Sequence, residues 1–170
     1  LKIMIERAGK LNGKINCLAD CYFEEALAKA KIAEQAYARR GSSPRPLEGV
    51  PLLVKDAQRL KDKRTTYGSL IFANNIDDHS DPQLERLENA GAIIFGRTTT
   101  PEFCLSAVTR SRIWGTTRNP WNLDYGPGGS SGGAGAALAA LHVRRIDPRG
   151  LELDANFART GLRRVDGGDP

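Results

Sequence analysis

The stretch that most narrows the fold is residues 81–95, DPQLERLENAGAIIF. Asp81 reads as a helix N-cap and Pro82 as the first helical residue, a position where the missing N–H has no helical partner to lose. Leu84, Leu87 and Ala90 recur at three-residue steps and Gly91 closes the segment. Ala92-Ile-Ile-Phe95 then continues directly as a short buried strand. A helix that stops at glycine and feeds an apolar strand is the repeating unit of an α/β layer.

The neighbouring segments agree. Residues 24–40 are rich in Ala, Glu, Lys and Gln and stop before Gly41, so a helix is expected there. Ala26, Ala30, Ala33 and Tyr37 form its expected buried face. Gly41-Ser-Ser-Pro-Arg-Pro is a loop. Val50-Pro-Leu-Leu-Val54 has the length and flanks of a second buried strand. Residues 109–128 are polar and irregular, a place to expect function rather than core. They lead into Gly128-Gly-Ser-Ser-Gly-Gly133, and residues 134–141 read as a small, Ala-rich helix able to pack closely.

Composition changes near residue 141. All eight lysines lie between Lys2 and Lys63, whereas residues 142–170 hold six arginines and no lysine. Those last residues show no sustained period beyond one expected helical turn at 151–159, and no internal repeat is evident. Two parts follow: an organised portion, 1–141, and an arginine-rich tail, 142–170.

The chain of 170 residues, 40% hydrophobic and 26% charged, is ordinary for one globular domain. No apolar run nears the roughly 20 residues of a membrane span. The net charge of +5 is scattered rather than gathered on one face, which argues against a nucleic-acid partner. The N-terminus, Leu1-Lys-Ile-Met-Ile-Glu-Arg, lacks the apolar core of a signal peptide, and its first residue leads one to expect a fragment or a missing start. Three cysteines, Cys17, Cys21 and Cys104, are an odd number without a secretion signal, so free thiols in a reducing cytoplasm are expected. Cys17-x3-Cys21 has no second pair nearby, and no metal site is expected.

The serine–glycine hexamer is the strongest local feature. Its glycines open backbone conformations closed to other residues and present two hydroxyls at a helix N-terminus. A flexible linker is the plain reading of such a hexamer. A phosphate-binding loop fits poorly, because no Lys-[Ser/Thr] follows and no apolar strand precedes. A serine used for acyl chemistry needs a base. His79 lies in an acidic stretch and His142 in the tail, so lysine is the remaining activator. Lys55 follows an apolar strand and is placed for that role. The plain alternative is a surface lysine paired with Asp56.

Together the residues resemble a known family. Gly49-Val-Pro-Leu-Leu-Val-Lys55-Asp56, Thr65-Thr-Tyr-Gly-Ser69, Ala90-Gly-Ala-Ile-Ile-Phe-Gly-Arg-Thr-Thr-Thr-Pro-Glu-Phe103, Gly115-Thr-Thr-Arg-Asn-Pro-Trp-Asn122 and Gly128-Gly-Ser-Ser-Gly-Gly133 occur in the order seen in amidase signature enzymes. The resemblance spans about residues 11–141. It implies an α/β fold, here an incomplete amidase-signature α/β/α layer with a mixed sheet. It implies hydrolysis of a small-molecule amide through an acyl-enzyme, with no cofactor and no metal. It implies a Ser–cis-Ser–Lys triad in which Lys55 is the general base and Ser130, after a cis bond from Gly129, is the bridging serine. Ser131 would support the network, along with Gly128 and Gly129.

The chain departs from the family at one point. The nucleophilic serine belongs to a later Gly-Gly-Ser-[Ile/Thr]-Arg block that also supplies oxyanion donors, and the position expected for it falls on Asp154. No serine follows Ser131. Without the attacking group the acyl mechanism cannot run, so the chain as it stands is expected to be inactive. If 144–149 were encoded CGG-CGG-ATC-GAC-CCG-CGG, dropping one base would read Gly-Gly-Ser-Thr-Arg, although its serine falls about 16 residues after Ser130 and some residues would also have to be deleted; out-of-frame translation is expected for the tail, with a genuinely divergent tail as the alternative. The alternatives are a non-catalytic binding remnant, a phosphate-binding module, and a fragment of the amidase subunit of a tRNA amidotransferase. Thr66-Tyr-Gly-Ser and Thr100-Pro-Glu-Phe sit closer to general acylamidases than to that subunit's Met-Asp-Glu-Phe.

Overall fold

The unit that begins at Asp81 forms as its sequence predicts. In a computed structural model, which describes residues 1–141, helix α3 spans Pro82–Asn89 with Asp81 at its N-cap and Pro82 at its start. The Asp81 carboxylate accepts from the Arg59 N–H (3.0 Å) and the Gln83 side chain (3.5 Å) rather than from the backbone N–H groups of its own helix, pinning a distant loop. Gly91 takes φ 104°, and the following strand runs Ile93–Thr98 with every residue buried. The strand is longer than its apolar letters suggest, because Gly96, Arg97 and Thr98 continue it into the interior.

Four helices, α1 (Lys2–Ile15), α2 (Phe23–Ala38), α3 and α4 (Gly132–Leu141), accompany three longer strands, β1 (Leu18–Cys21), β2 (Pro51–Lys55) and β3 (Ile93–Thr98). The strand order is β1-β3-β2, antiparallel then parallel, a mixed sheet as expected. Two-residue strands β4 (Arg110–Ser111) and β5 (Gly115–Thr116) form a separate hairpin inside the expected loop. The predicted tail, including its helical turn at 151–159, lies outside the described residues.

β3 is the centre of the sheet, and its two faces build two layers. Ile93 and Phe95 pack on Ala26 and Ala33 of α2. Ile94 faces the other way and joins Val54, Leu60 and Leu84. A third cluster joins Ala8 and Ile15 of α1 to Ala136, Ala137, Ala140 and Leu141 of α4. Leu53 and Phe23 touch both the α2 cluster and the α1–α4 cluster. At Gly96 an added Cβ would stand 2.8 Å from the Asp20 carbonyl, so only glycine lets β1 lie this close.

Two expectations need correction. Tyr37 is 62% exposed rather than core, although its hydroxyl donates to the Glu48 carbonyl at 3.1 Å. β2 is only partly buried apart from Val54, because among the described residues it is the outer strand beside β3. Asn16, in a left-handed conformation, ends α1 and reaches the hairpin, donating to the Trp114 and Thr116 carbonyls at 2.5 and 3.2 Å. Among the described residues no helix is long and apolar enough to cross a membrane.

Candidate active site

Lys55 is the last residue of β2, at the point where the strand turns away. Its carbonyl accepts from the Ala57 and Gln58 N–H groups at 2.7 and 3.1 Å, and the ladder carries on one step through Asp56 N–H to Thr98 O at 3.0 Å. The backbone at Lys55 is therefore tied on both sides. Its side chain donates to Ser130 Oγ at 2.8 Å and to Ser131 Oγ at 3.0 Å. The two hydroxyls singled out in the hexamer and the one lysine after an apolar strand thus meet across 75 residues of chain.

The alternative reading, a surface Lys55 paired with Asp56, is not what the structure shows. Adjacent residues at a strand end point to opposite faces. Asp56 turns inward, fully buried, and accepts from Thr66 N–H and Trp114 Nε1, each at 2.8 Å, and from the Thr66 hydroxyl. The Arg64 guanidinium lies over the Trp114 ring at 5.0 Å and is bound by Asp20 at 2.7 Å.

The hexamer is a built loop and not a flexible linker. Gly128 has φ 90°, a conformation that disfavours any side chain. The Gly129–Ser130 peptide is cis. A Cβ on Gly129 would come within 2.7 Å of the Ser106 carbonyl, and one on Gly133 within 2.5 Å of Thr99 N. Thr109 Oγ1 donates to Gly128 O at 2.8 Å and accepts from Gly132 N–H at 3.1 Å, clasping the loop at both ends. Thr100 Oγ1 donates to Ser130 O at 3.0 Å and lies 3.2 Å from Cys104 Sγ.

These threonine clasps were not singled out in the sequence. Thr65, Thr66, Thr98, Thr99, Thr100, Thr109 and Thr117 are all at most 1% exposed. The available signal was the run Thr98-Thr-Thr100 straight after an apolar strand, where solvent-facing residues would ordinarily vary in type. Arg97, fully buried, was likewise missed; it donates to the Gln58 carbonyl at 2.8 Å and to Tyr22 Oη at 3.0 Å, holding the loop behind Lys55. His79 bonds Asp78 (2.5 Å) and Arg59 (3.1 Å). Cys104 is half-buried beside Thr100, and Cys17 is fully buried, its thiol pushed up to about 11 by loss of solvent.

A lysine ending a strand, hydrogen-bonded to two serines of a glycine-locked turn at a helix start, is a recognisable constellation, and the Amidase family profile matches residues 1–144. The chain belongs to the amidase family. It is 38% identical over 140 residues to a glutamyl-tRNA(Gln) amidotransferase subunit of Lachnospira eligens, covering 82% of this chain and 29% of that protein. Among solved structures, it is similar to a vestigial protein complex bearing on the origins of an s-triazine catabolic enzyme, inhibitor-bound (TM-score 0.77, 33% identity, 82% of this chain and 30% of that one). It is also similar to a bacterial aryl acylamidase of the amidase signature family (TM-score 0.75, 26% identity, 82% and 29%). This amidase-family chain therefore spans less than a third of the length of the relatives it matches.

Proposed function

We propose that this chain carries two of the three side chains of a carbon–nitrogen amide hydrolase, with Lys55 as general base and Ser130 as the serine that relays a proton to and from a nucleophile. Ser131 steadies the Lys55 amine, and Gly128 and Gly129 hold the turn. The observation that carries the reading is the Lys55 Nζ bonded to both Ser130 Oγ and Ser131 Oγ, at 2.8 and 3.0 Å. The substrate class is a small-molecule amide, and the reaction needs no metal or organic cofactor, because a serine attacks and the lysine moves the proton. The attacking serine is not among residues 132–170, which contain none. Residues 1–170 by themselves then turn over no amide, and residues 142–170 are out-of-frame sequence following a domain portion of 1–141. Its free cysteines suit a reducing cytoplasm.

A chimaera tests this: residues 1–141 joined to the remaining, C-terminal part of the Lachnospira eligens relative. Hydrolysis of simple amides by the chimaera, lost by several orders of magnitude in Lys55→Ala and in Ser130→Ala, is expected. Hydrolysis that survives Lys55→Ala refutes the assignment. Sequencing the gene past the codon for Gly128 tests the tail: a second frame encoding Gly-Gly-Ser-[Ile/Thr]-Arg is expected.

A second reading, the N-terminal part of an amidotransferase's amidase subunit, is favoured by the 38% identity to the Lachnospira eligens protein. Amidation of glutamyl-tRNA by the chimaera with its partner subunits, in preference to simple amides, would select it.

A further inference from the structure

We infer that Thr100 is a positioning residue for the lysine–serine pair, acting from beneath through the Ser130 carbonyl to fix the two hydroxyls that Lys55 engages. The inference rests on the site reading above and adds to it a side chain whose own bonds go to neither Lys55 nor a serine hydroxyl. Lys55 and Ser130 are half-buried and Ser131 is exposed. Packing alone holds such groups poorly, so hydrogen bonds set their geometry. Ser130 and Ser131 share one peptide unit, and the plane of that unit sets the spacing of their hydroxyls. Its carbonyl is Ser130 O. Helix α4 does not hold it, because the first backbone bond there runs from Gly135 N–H to Ser131 O at 3.1 Å. Thr100 Oγ1 donates to Ser130 O at 3.0 Å, and Thr100 is only 1% exposed, so water does not compete. A threonine hydroxyl has one hydrogen to give. That hydrogen goes to Ser130 O, so in the 3.2 Å contact with Cys104 Sγ the thiol is the donor. The hydroxyl both donates and accepts, which locks its rotor.

The backbone that carries Thr100 is held as firmly. Pro101 favours extended backbone at the residue before it. Gly68, at φ 68°, lies so close that a Cβ there would stand 2.7 Å from Thr100 O. Gly68 N–H donates to Thr66 Oγ1 at 3.1 Å, and Thr66 N–H donates to Asp56 at 2.8 Å. Asp56 adjoins Lys55. The path closes on itself: Lys55, Asp56, Thr66, Gly68, Thr100, Ser130, and back to Lys55 Nζ at 2.8 Å. Within this ring Thr100 supplies the crossing from the strand end to the serine turn. Removing its hydroxyl opens the ring without touching any group that moves a proton.

The test uses the 170-residue chain, in which no turnover is needed. Lysines are trace-acylated with acetic anhydride and quantified by peptide mass mapping, with Lys29 and Lys61 as internal references. An amine tied to two hydroxyls reacts slowly until it lets go. Lys55 acylation should rise about threefold or more in Thr100→Val and stay within about twofold of the parent in Thr100→Ser. Cys104→Ala, at a half-buried position, strips Thr100 of its thiol donor and should move Lys55 in the same direction, which keeps the test open if Thr100→Val does not fold. Thr117→Val is the control: Thr117 is as buried but donates to Asn16 O at 2.8 Å, outside the ring, and its loss should lower the urea midpoint without raising Lys55 acylation. In the chimaera, Thr100→Val should lower kcat about tenfold with KM within about twofold, and Thr100→Ser should restore kcat. Should the chimaera stay active in Lys55→Ala, the catalytic reading falls and the acylation pattern alone decides the positioning. Three results overturn the inference: Lys55 acylation indifferent to both Thr100→Val and Cys104→Ala; a rise as large in Thr117→Val; or a Lys55-dependent chimaera whose kcat Thr100→Val leaves unmoved.

Discussion

Replacing Asp56 with alanine should be among the most damaging single changes outside the apolar clusters. The carboxylate is fully buried and accepts from Thr66 N–H and Trp114 Nε1 at 2.8 Å each and from the Thr66 hydroxyl. A hydrogen bond to a charged group contributes about 1.5–3 kcal/mol, and a buried donor left without a partner costs about 1–3 kcal/mol. The three bonds share one acceptor and are not additive, so the loss should be about 3–5 kcal/mol. Stability of a domain is about 5–15 kcal/mol, so the variant should lie near its unfolding midpoint in mild urea. Asp56→Asn keeps one acceptor oxygen and turns an amide N–H towards the donors, and should cost about 1–3 kcal/mol. Urea unfolding followed by tryptophan fluorescence is the assay, since the Trp114 indole is bonded to the carboxylate itself. A cycle with Trp114→Phe should show coupling of about 1 kcal/mol or more. A cost for Asp56→Ala below about 1 kcal/mol, or full additivity with Trp114→Phe, would refute the view that this carboxylate holds the turn behind Lys55.

Other expectations concern the glycine helix and the thiols. Gly133→Ala drives its Cβ against Thr99 backbone (2.5 Å from N) and should cost more than about 2 kcal/mol, whereas Gly135→Ala in the same helix meets nothing within 4 Å and should stabilise by about 0.5–1 kcal/mol; urea midpoints decide both. Cys17 holds its proton to about pH 11 when folded, against 9.0 without burial. Its contribution is full below that lower value and is lost as pH rises through the upper one, about 2–3 kcal/mol in all. The urea midpoint should therefore fall between those pH values, and Cys17→Ala should flatten that slope. At neutral pH a thiol reagent should label exposed Cys21 in the folded chain and reach buried Cys17 only on unfolding, as peptide mass mapping would show.

The α3–β3 unit was legible because its signals are local: a cap residue, a proline at the first turn, a glycine at the end and an apolar run. α1 and β1 were not. Gly9, Gly13 and three charges in the first seven residues dilute the period of α1, and LADC is too short a strand to declare itself. The continuation of β3 through Arg97 depended on partners elsewhere, since the buried Asp77 carboxylate at 3.6 Å, the Gln58 and Lys55 carbonyls and the Tyr22 hydroxyl together make a buried guanidinium tolerable there. At the candidate site, Lys55 and Ser130 could be named as residue types able to cooperate, and the family resemblance gave them roles. Their meeting was implied by the resemblance alone and not by the residues themselves, because it depends on the packing of α4 against α1 and the sheet. The buried role of Asp56 was not legible for a local reason: sequence adjacency offers pairing with Lys55 as an alternative, but a strand end sends neighbours to opposite faces.

Leu53 and Phe23, shared between the α2 cluster and the α1–α4 cluster, set how the helices come apart. A layer with a seam between two clusters would let one helix pair open while the other stayed shut. Here the same two side chains plug both, so opening either cluster uncovers the other. Amide protons in α1, α2 and α4 should then exchange with deuterium through one common opening, with a shared protection factor. Leu53→Ala should lower that factor in all three helices together.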